Sequence, residues 1–531
     1  MQRLRVFFPH TVLLMLVLLA AVPVMAGGKA KPVAPLESGL AHRVDAILNR
    51  AELARGYWGI EAVDLDTGAV VYAHNADRLF TPASNAKIFT TAAGLALVGG
   101  DYRFRTTVEA STAPDKYGRV AGDVVLVGRG DPNLSGRALP YALKTQRPWP
   151  PEQALIELAD QVTARGVRVI DGDLVADDTF YTFERYAEGW TEDDLLWDYG
   201  APVSALAIND NSLFLSVQPG EHVGERAFVT LEPFANVFVS GGQEIVNHVT
   251  TTAAGSGARK VGIRRQTGTN RIELWGTIPA DDLGMHEQLA IEDPAEFCAR
   301  LLADLLSRRG VTVMGKTRAR HLMPEQAVAL TAAPSATQSA NPPAHTAPIV
   351  LAEHISAPLG QDVKVINKVS QNLHTEMLLR LLGHEKYGTG SVDAGLEALK
   401  GFLTAAGIKP EEYVFFDGSG LSRKDLITPH AAVTLLRYSA AQPWGLTFRD
   451  SLPLAGVDGT MTNRLKELPT GARVQAKTGT HDHVNTLSGY ITTSGGRQLA
   501  FSILCNNHLL GSPKATEVMD EIVMELVEGK N

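Results

Sequence analysis

Ser84 and Lys87 stand three positions apart in Thr81-Pro82-Ala83-Ser84-Asn85-Ala86-Lys87. Serine is a weak nucleophile at its own pKa and needs an adjacent base. Three positions along a helix return Lys87 over the face that carries Ser84. A lysine acts as a base only when neutral, a state favoured by burial and by a second cation nearby, such as Lys477. Far downstream come Ser370-Gln371-Asn372 and then Lys477-Thr478-Gly479-Thr480. A hydroxyl at 370 can relay a proton to a leaving amine, and a carboxamide at 372 can both donate to and accept from a substrate amide. Gly479 lets an extended peptide approach a strand edge. Lys477 with the Thr478 or Thr480 hydroxyl suits a peptide's terminal carboxylate. The expected oxyanion donors are the backbone N–H groups of Ser84 and Thr480. In this order the three motifs supply what acyl transfer through a serine requires.

Each motif alone has a plainer reading. An isolated S-x-x-K recurs by chance and usually marks a helix surface. Ser370 precedes a helical run and reads as an N-cap, and Lys477 reads as an edge-strand charge that discourages aggregation. His481-Asp482-His483 reads as a polar loop rather than a metal site, and His384-Glu385 lacks the second histidine of a zincin helix. No metal or cofactor is expected. Arg129-Gly130-Asp131 is too short a string to carry information.

The elements that must position these groups follow from periodicity. Helical spacing runs from Leu40 to Leu53, then Tyr57 to Ala73 reads as a strand pair turning at Asp66-Thr67-Gly68. Ser84 is expected in the first turn of an apolar helix that continues from Ile88 to Val98. From about 100 to 350 short alternating strands dominate, with helices at 152–165 and 294–309. This stretch reads as a β-rich insertion of 100–350, carrying a low-complexity linker at 332–347. It divides a catalytic domain into 39–99 and 351–531. The second part has a helix continuing from Ser370, strands around 474–477, 486–492 and 498–506, and a closing helix from Lys514 to Val527. Helix-flanked antiparallel sheet makes the fold class α+β.

At 531 residues the chain needs more than one simple core. Its net charge of −9 gives no basic footprint, which excludes nucleic acid as a partner. Arg3 and Arg5, the apolar run Val12 to Val22 and the small residues before Gly27 read as a cleaved export signal of 1–26, followed by a flexible leader of 27–38. The run is short for a membrane span and Pro23 interrupts it, so no stable membrane anchor is expected. The expected location is the periplasm, or the medium or wall of a cell without an outer membrane. Cys298 and Cys505 are far apart in sequence and read as small buried apolar residues rather than a bridge.

Beyond the three motifs, Tyr199-Gly200-Ala201-Pro202-Val203-Ser204-Ala205-Leu206, Asp417-Gly418-Ser419-Gly420-Leu421-Ser422-Arg423 and Leu454-Ala455-Gly456-Val457-Asp458-Gly459-Thr460-Met461 complete a resemblance. From about 40 to 528 the chain resembles the low-molecular-mass class C penicillin-binding proteins, the D-alanyl-D-alanine carboxypeptidase/endopeptidase family. Gln371 departs from the Asp or Asn of many relatives. The resemblance implies a transpeptidase/β-lactamase-like domain interrupted by an insertion, peptidoglycan stem peptides as substrate, acylation of Ser84 and inhibition by β-lactams. It also implies that an acid on the insertion and an arginine at the cleft rim bind the zwitterionic end of diaminopimelate. By motif position these are Asp178, with Asp177 as competitor, and Arg423. A β-lactamase or esterase of the same fold is the alternative within this chemistry, although no deacylating glutamate is identifiable. A non-catalytic wall scaffold is the alternative outside it, and the intact nucleophile disfavours that reading.

Overall fold

The central strand of the first sheet, Gln498–Asn506, is apolar almost throughout, as expected of a strand covered on both faces. Leu499, Phe501, Ile503 and Cys505 point into one core, shared with Val44, Val518 and Ile522 of the helices Ser38–Leu48 and Ser512–Glu528. Ala500 and Leu504 point the other way, into a core with Ile88, Leu378 and Leu435. The computed structural model describes residues 38–142, 147–232, 244–266, 269, 271–327 and 347–529. The expected export signal, the leader up to residue 37 and the linker up to residue 346 lie outside the described residues.

This sheet has five antiparallel strands in the order Val70–His74, Tyr57–Asp64, Gln498–Asn506, Val484–Thr492 and Arg473–His481. Its first two strands and its last three are separated by some 400 residues of sequence, so the sheet closes only when both ends of the chain meet. The helical spacing from Leu40 onward breaks after Leu48, and Ala51–Leu53 form a separate 3₁₀ turn.

Between the two halves lies a second five-stranded sheet, mixed rather than antiparallel. Its order is Thr317–Leu322, Leu174–Thr182, Val124–Val127, Arg105–Ala110 and Ile349–Ile355. The helices Gln153–Ala164 and Pro294–Ser307 pack on it through Leu155, Leu158, Leu302 and Leu306. Asp293 caps the second of these by accepting from Glu296 N, with Pro294 in its first turn. Ile349–Ile355 pairs along Arg105–Ala110, so the chain returns to the layers of the first sheet at Leu359 rather than at 351. That pairing spans over 200 residues of sequence and leaves no local signal. Cys298 and Cys505 are free, buried thiols in separate cores. No described helix is long and apolar enough to cross a membrane.

Candidate active site

Ser84 lies in a 3₁₀ turn, Ala83–Asn85, immediately ahead of the helix Ala86–Leu97 rather than inside its first turn. Ala83 adopts φ 47°, an uncommon backbone for a residue with a Cβ, next to the nucleophile. Buried Asn85 fastens the turn to the motif strand. Its Nδ2 donates to Lys477 O at 3.2 Å and to Thr486 Oγ1 at 2.6 Å, while the Thr486 hydroxyl donates to Pro82 O at 2.8 Å. A Cβ on Gly479 would stand 2.8 Å from Pro82 O and 2.9 Å from Ser84 N, so only glycine admits the strand this close. Gly420, at φ 75°, meets the turn from the other side, 1.9 Å from Ala83 O at its would-be Cβ.

Lys87 is fully buried, with Nζ 2.9 Å from Ser84 Oγ, 2.6 Å from Asn372 Oδ1 and 2.7 Å from Ser419 O. Burial pushes its pKa from 10.5 down to about 7, against the pull of Asp417, Glu376 and Asp425. A neutral amine has two N–H bonds and one lone pair. In that form the carbonyls of Asn372 and Ser419 can accept both N–H bonds, which would leave the lone pair for the Ser84 hydroxyl. That is the arrangement of a general base.

The Ser419 carbonyl is itself held. Gly418 N and Ser419 N donate to Glu376 Oε1 at 2.9 and 2.8 Å, and Gly420 N and Ser422 N donate to Asp417 at 2.6 and 2.8 Å. Glu376 is buried at the first turns of the helix Asn372–Tyr387. Burial raises its pKa to about 7, with Asp417 adding to the rise and Arg380 opposing it.

Ser370 ends the helix Leu359–Val369 in the left-handed conformation, φ 64°. It is therefore a C-terminal cap; the N-cap of the next helix is Gln371, whose side chain accepts from Leu373 N. This sharp corner places Ser370 and Asn372 on one cleft. Lys477 is fully buried and reaches Ser370 Oγ at 2.9 Å and Thr478 O at 2.7 Å. Burial and the neighbouring Lys87 push its pKa well below the ordinary lysine value. The Thr478 hydroxyl donates to Thr460 Oγ1 at 2.7 Å, so Thr480 is the threonine of this strand that lines the cleft.

The cleft has a volume of ≈ 640 Å³. Ser84, Ser370, Asn372 and Thr480 line it together with Asp194, Tyr199 and Arg423. Arg423 Nη2 lies 3.9 Å from Asp194 Oδ1. His481 also lines it and donates from Nε2 to Gly420 O at 2.8 Å. Burial lowers the His481 pKa, which favours the neutral ring.

The family model for the D-Ala-D-Ala carboxypeptidase 3 (S13) family matches residues 40–340 and 338–528. The chain belongs to this family. It is 36% identical over 527 residues to a D-alanyl-D-alanine carboxypeptidase of Actinomadura sp. strain R39, covering 97% of this chain and 89% of that protein. It is 25% identical over 469 residues to D-alanyl-D-alanine carboxypeptidase DacB of Haemophilus influenzae, covering 85% and 86%. The crystal structure of penicillin binding protein 4 from H. influenzae shares the fold, with a TM-score of 0.73 at 22% identity, covering 91% of this chain and 97% of that one.

In this S13 protein the expectation for Asp178 needs correction. Asp178 is 3% exposed and accepts from Ser204 Oγ at 2.8 Å and His321 Nδ1 at 2.9 Å, inside the insertion. Asp177 accepts from Thr179 and from Arg320 Nη1 at 2.9 Å. Both carboxylates are satisfied within the insertion, and neither lines the cleft. The acid beside Arg423 is Asp194, whose Oδ2 accepts from Thr191 N and Oγ1 at 2.9 and 2.7 Å. Its sequence signal is modest: it stands five residues before Tyr199-Gly200-Ala201-Pro202, in a loop of acids after Trp190. Glu376 was also missed, because four residues before Arg380 on an apolar helix it reads as an ordinary i,i+4 pair. Asn85 was missed because a residue between Ser84 and Lys87 has no chemistry of its own.

Proposed function

We propose that this protein is an exported serine DD-peptidase that removes the terminal D-alanine from D-Ala–D-Ala stem peptides of peptidoglycan and hydrolyses D-Ala–diaminopimelate cross-links. Neutral Lys87 takes the Ser84 proton as Oγ attacks the penultimate carbonyl, and the backbone N–H groups of Ser84 and Thr480 receive the developing oxyanion. As the tetrahedral species collapses, the C–N bond breaks and the amine leaves with a proton delivered through Ser370, which Lys477 orients. Water then attacks the ester, Lys87 again takes the proton, and Ser84 is restored. Asn372 holds the substrate amide, Thr480 meets the terminal carboxylate, and Arg423 with Asp194 suits an ammonium–carboxylate pair at the far end of a diaminopimelate side chain. A β-lactam follows the same first step and leaves Ser84 acylated. Export to the periplasm or wall is supported by the N-terminal arginines and apolar run.

The observation that carries this reading is the buried Lys87 amine, with Nζ 2.9 Å from Ser84 Oγ and 2.6 and 2.7 Å from the Asn372 and Ser419 carbonyl oxygens. Intact mass after incubation with benzylpenicillin tests it. A penicilloyl adduct is expected on the wild type and none on Ser84→Ala; a wild type that gains no serine-dependent adduct sinks the covalent mechanism. Comparing turnover of a D-Ala–D-Ala peptide with that of the lactam separates peptidase from β-lactamase.

A further inference from the structure

One buried carboxylate of the insertion, Asp210, reaches the S-x-N motif through Gln371. Asn209, Asp210 and Asn211 adopt φ values of 50°, 55° and 53°, three consecutive left-handed residues without a glycine among them. Such backbone is strained even for Asn and Asp and persists only where its surroundings enforce it. Here side chains do so: Asn211 Oδ1 accepts from Ile208 N at 3.0 Å, its Nδ2 donates to Pro202 O at 2.9 Å, and Asn209 Nδ2 donates to Ser212 O at 2.9 Å. The turn aims Asp210 out of the insertion and at the corner Ser370-Gln371-Asn372.

Four donors converge on that carboxylate. Arg137 Nη2 and Arg147 Nη2 lie 2.7 and 2.6 Å from Oδ2, Gln371 Nε2 lies 3.1 Å from the same oxygen, and His374 Nε2 lies 3.2 Å from Oδ1. Burial alone would raise the Asp210 pKa, but Arg137, Arg147 and His374 hold it well below the usual carboxylate range. On the other side of the corner, Lys368 pairs with Asp458 at 2.7 Å, and Asn372 Nδ2 donates to Tyr199 O, again on the insertion, at 2.8 Å. Ser370 is itself left-handed at φ 64°. The motif is therefore held from both sides, and the Asp210 contact acts on Gln371, whose side chain also caps the helix that begins with Asn372.

Resting on the peptidase reading, we propose that Asp210 is a positioning residue for acylation. By accepting from Gln371 it fixes the corner that presents Ser370 to Lys477 and Asn372 to Lys87. The insertion then contributes to the chemical step as well as to substrate selection. Gln371 suits this role because its Oε1 caps Leu373 N while its Nε2 remains free to donate to a carboxylate, which an acid at 371 could not do.

The test uses Gln371→Glu, which keeps the cap and replaces the donor by an acceptor facing Asp210. Rapid-mixing kinetics with benzylpenicillin give the maximal acylation rate and the half-saturating concentration. Gln371→Glu is expected to lower the maximal rate roughly 10- to 100-fold with half-saturation changed less than about threefold. Adding Asp210→Asn, so that the amide and the acid exchange sides, is expected to recover at least about tenfold of that loss. Folding is checked by circular dichroism. A folded Gln371→Glu protein that acylates at the wild-type rate overturns the proposal, even where Asp210→Asn does not fold. A double variant in which the two losses multiply overturns it too. Failure of the peptidase reading itself would look different, because the wild type would then form no acyl-enzyme at all.

Discussion

The base is the part of the mechanism most exposed to measurement. Lys87 is fully buried, and its pKa falls from 10.5 to about 7. At about 1.4 kcal/mol for each tenfold change, this is on the order of 5 kcal/mol against the ammonium. At neutral pH an ordinary lysine is neutral in only about one molecule in 3,000, whereas Lys87 is neutral in about half, a gain of roughly a thousandfold in competent enzyme. The perturbation is pH, and the assay is the pre-steady-state acylation rate with benzylpenicillin between about pH 5 and about pH 9. Protonation removes the base, so the rate should rise about tenfold per pH unit on the acid side and level off above about 7.5. A rate still climbing tenfold per unit beyond about pH 9 would mean an unperturbed lysine, and a flat profile would mean that Lys87 is not the base. Glu376 is also raised to about 7 and could mimic the limb. Glu376→Gln separates the two. Its carboxylate is among the acids that hold the Lys87 pKa up, so the variant should move the limb to lower pH. Loss of the limb in that variant would assign the titration to Glu376 and refute the argument.

Gly479→Ala should fold yet lose at least about a hundredfold in acylation, read by fluorescent penicillin labelling, because the new Cβ would press on Thr486 Oγ1 at 2.2 Å and displace Ser84 N at 2.9 Å. Lys368→Met leaves Asp458 buried without its cation and should cost about 3–5 kcal/mol in urea denaturation. His321 lies between Asp178 and Asp293; burial would lower its pKa, but the hydrogen bonds to both carboxylates raise it to about 10 from 6.5. A raised pKa means stability that is complete below 6.5 and is lost as pH climbs toward about 10. The gap in melting temperature between wild type and His321→Gln should thus be widest near the acid end of that window and close toward its alkaline end.

Much of the catalytic layer was legible because its signals are local. Gln498–Asn506 announces itself by an apolar run broken only by Ser502, and Ser512–Glu528 by the helical spacing from Lys514 to Val527. Ser84, Lys87, Ser370, Asn372 and Lys477 could be named because their spacing within each motif encodes a short-range geometry. Asp178 misled for a related reason: position along a strand does not say whether a carboxylate meets water or, as here, Ser204 and His321. The role of Ser370 as a C-terminal cap rather than an N-cap turned on one backbone dihedral, which no residue type specifies.

The sequence by itself determined the reagents: a serine with a lysine one helical turn away, a hydroxyl and carboxamide two apart, and a glycine where a strand must approach a turn. Only the tertiary structure decided their state. Lys87 is suited to act as a base because the fold buries it against two carbonyls, one from Asn372 and one from Ser419, which lie 285 and 332 residues away along the chain. Desolvation and directed hydrogen bonds are properties of a place, and that place exists only after both ends of the chain have joined one sheet.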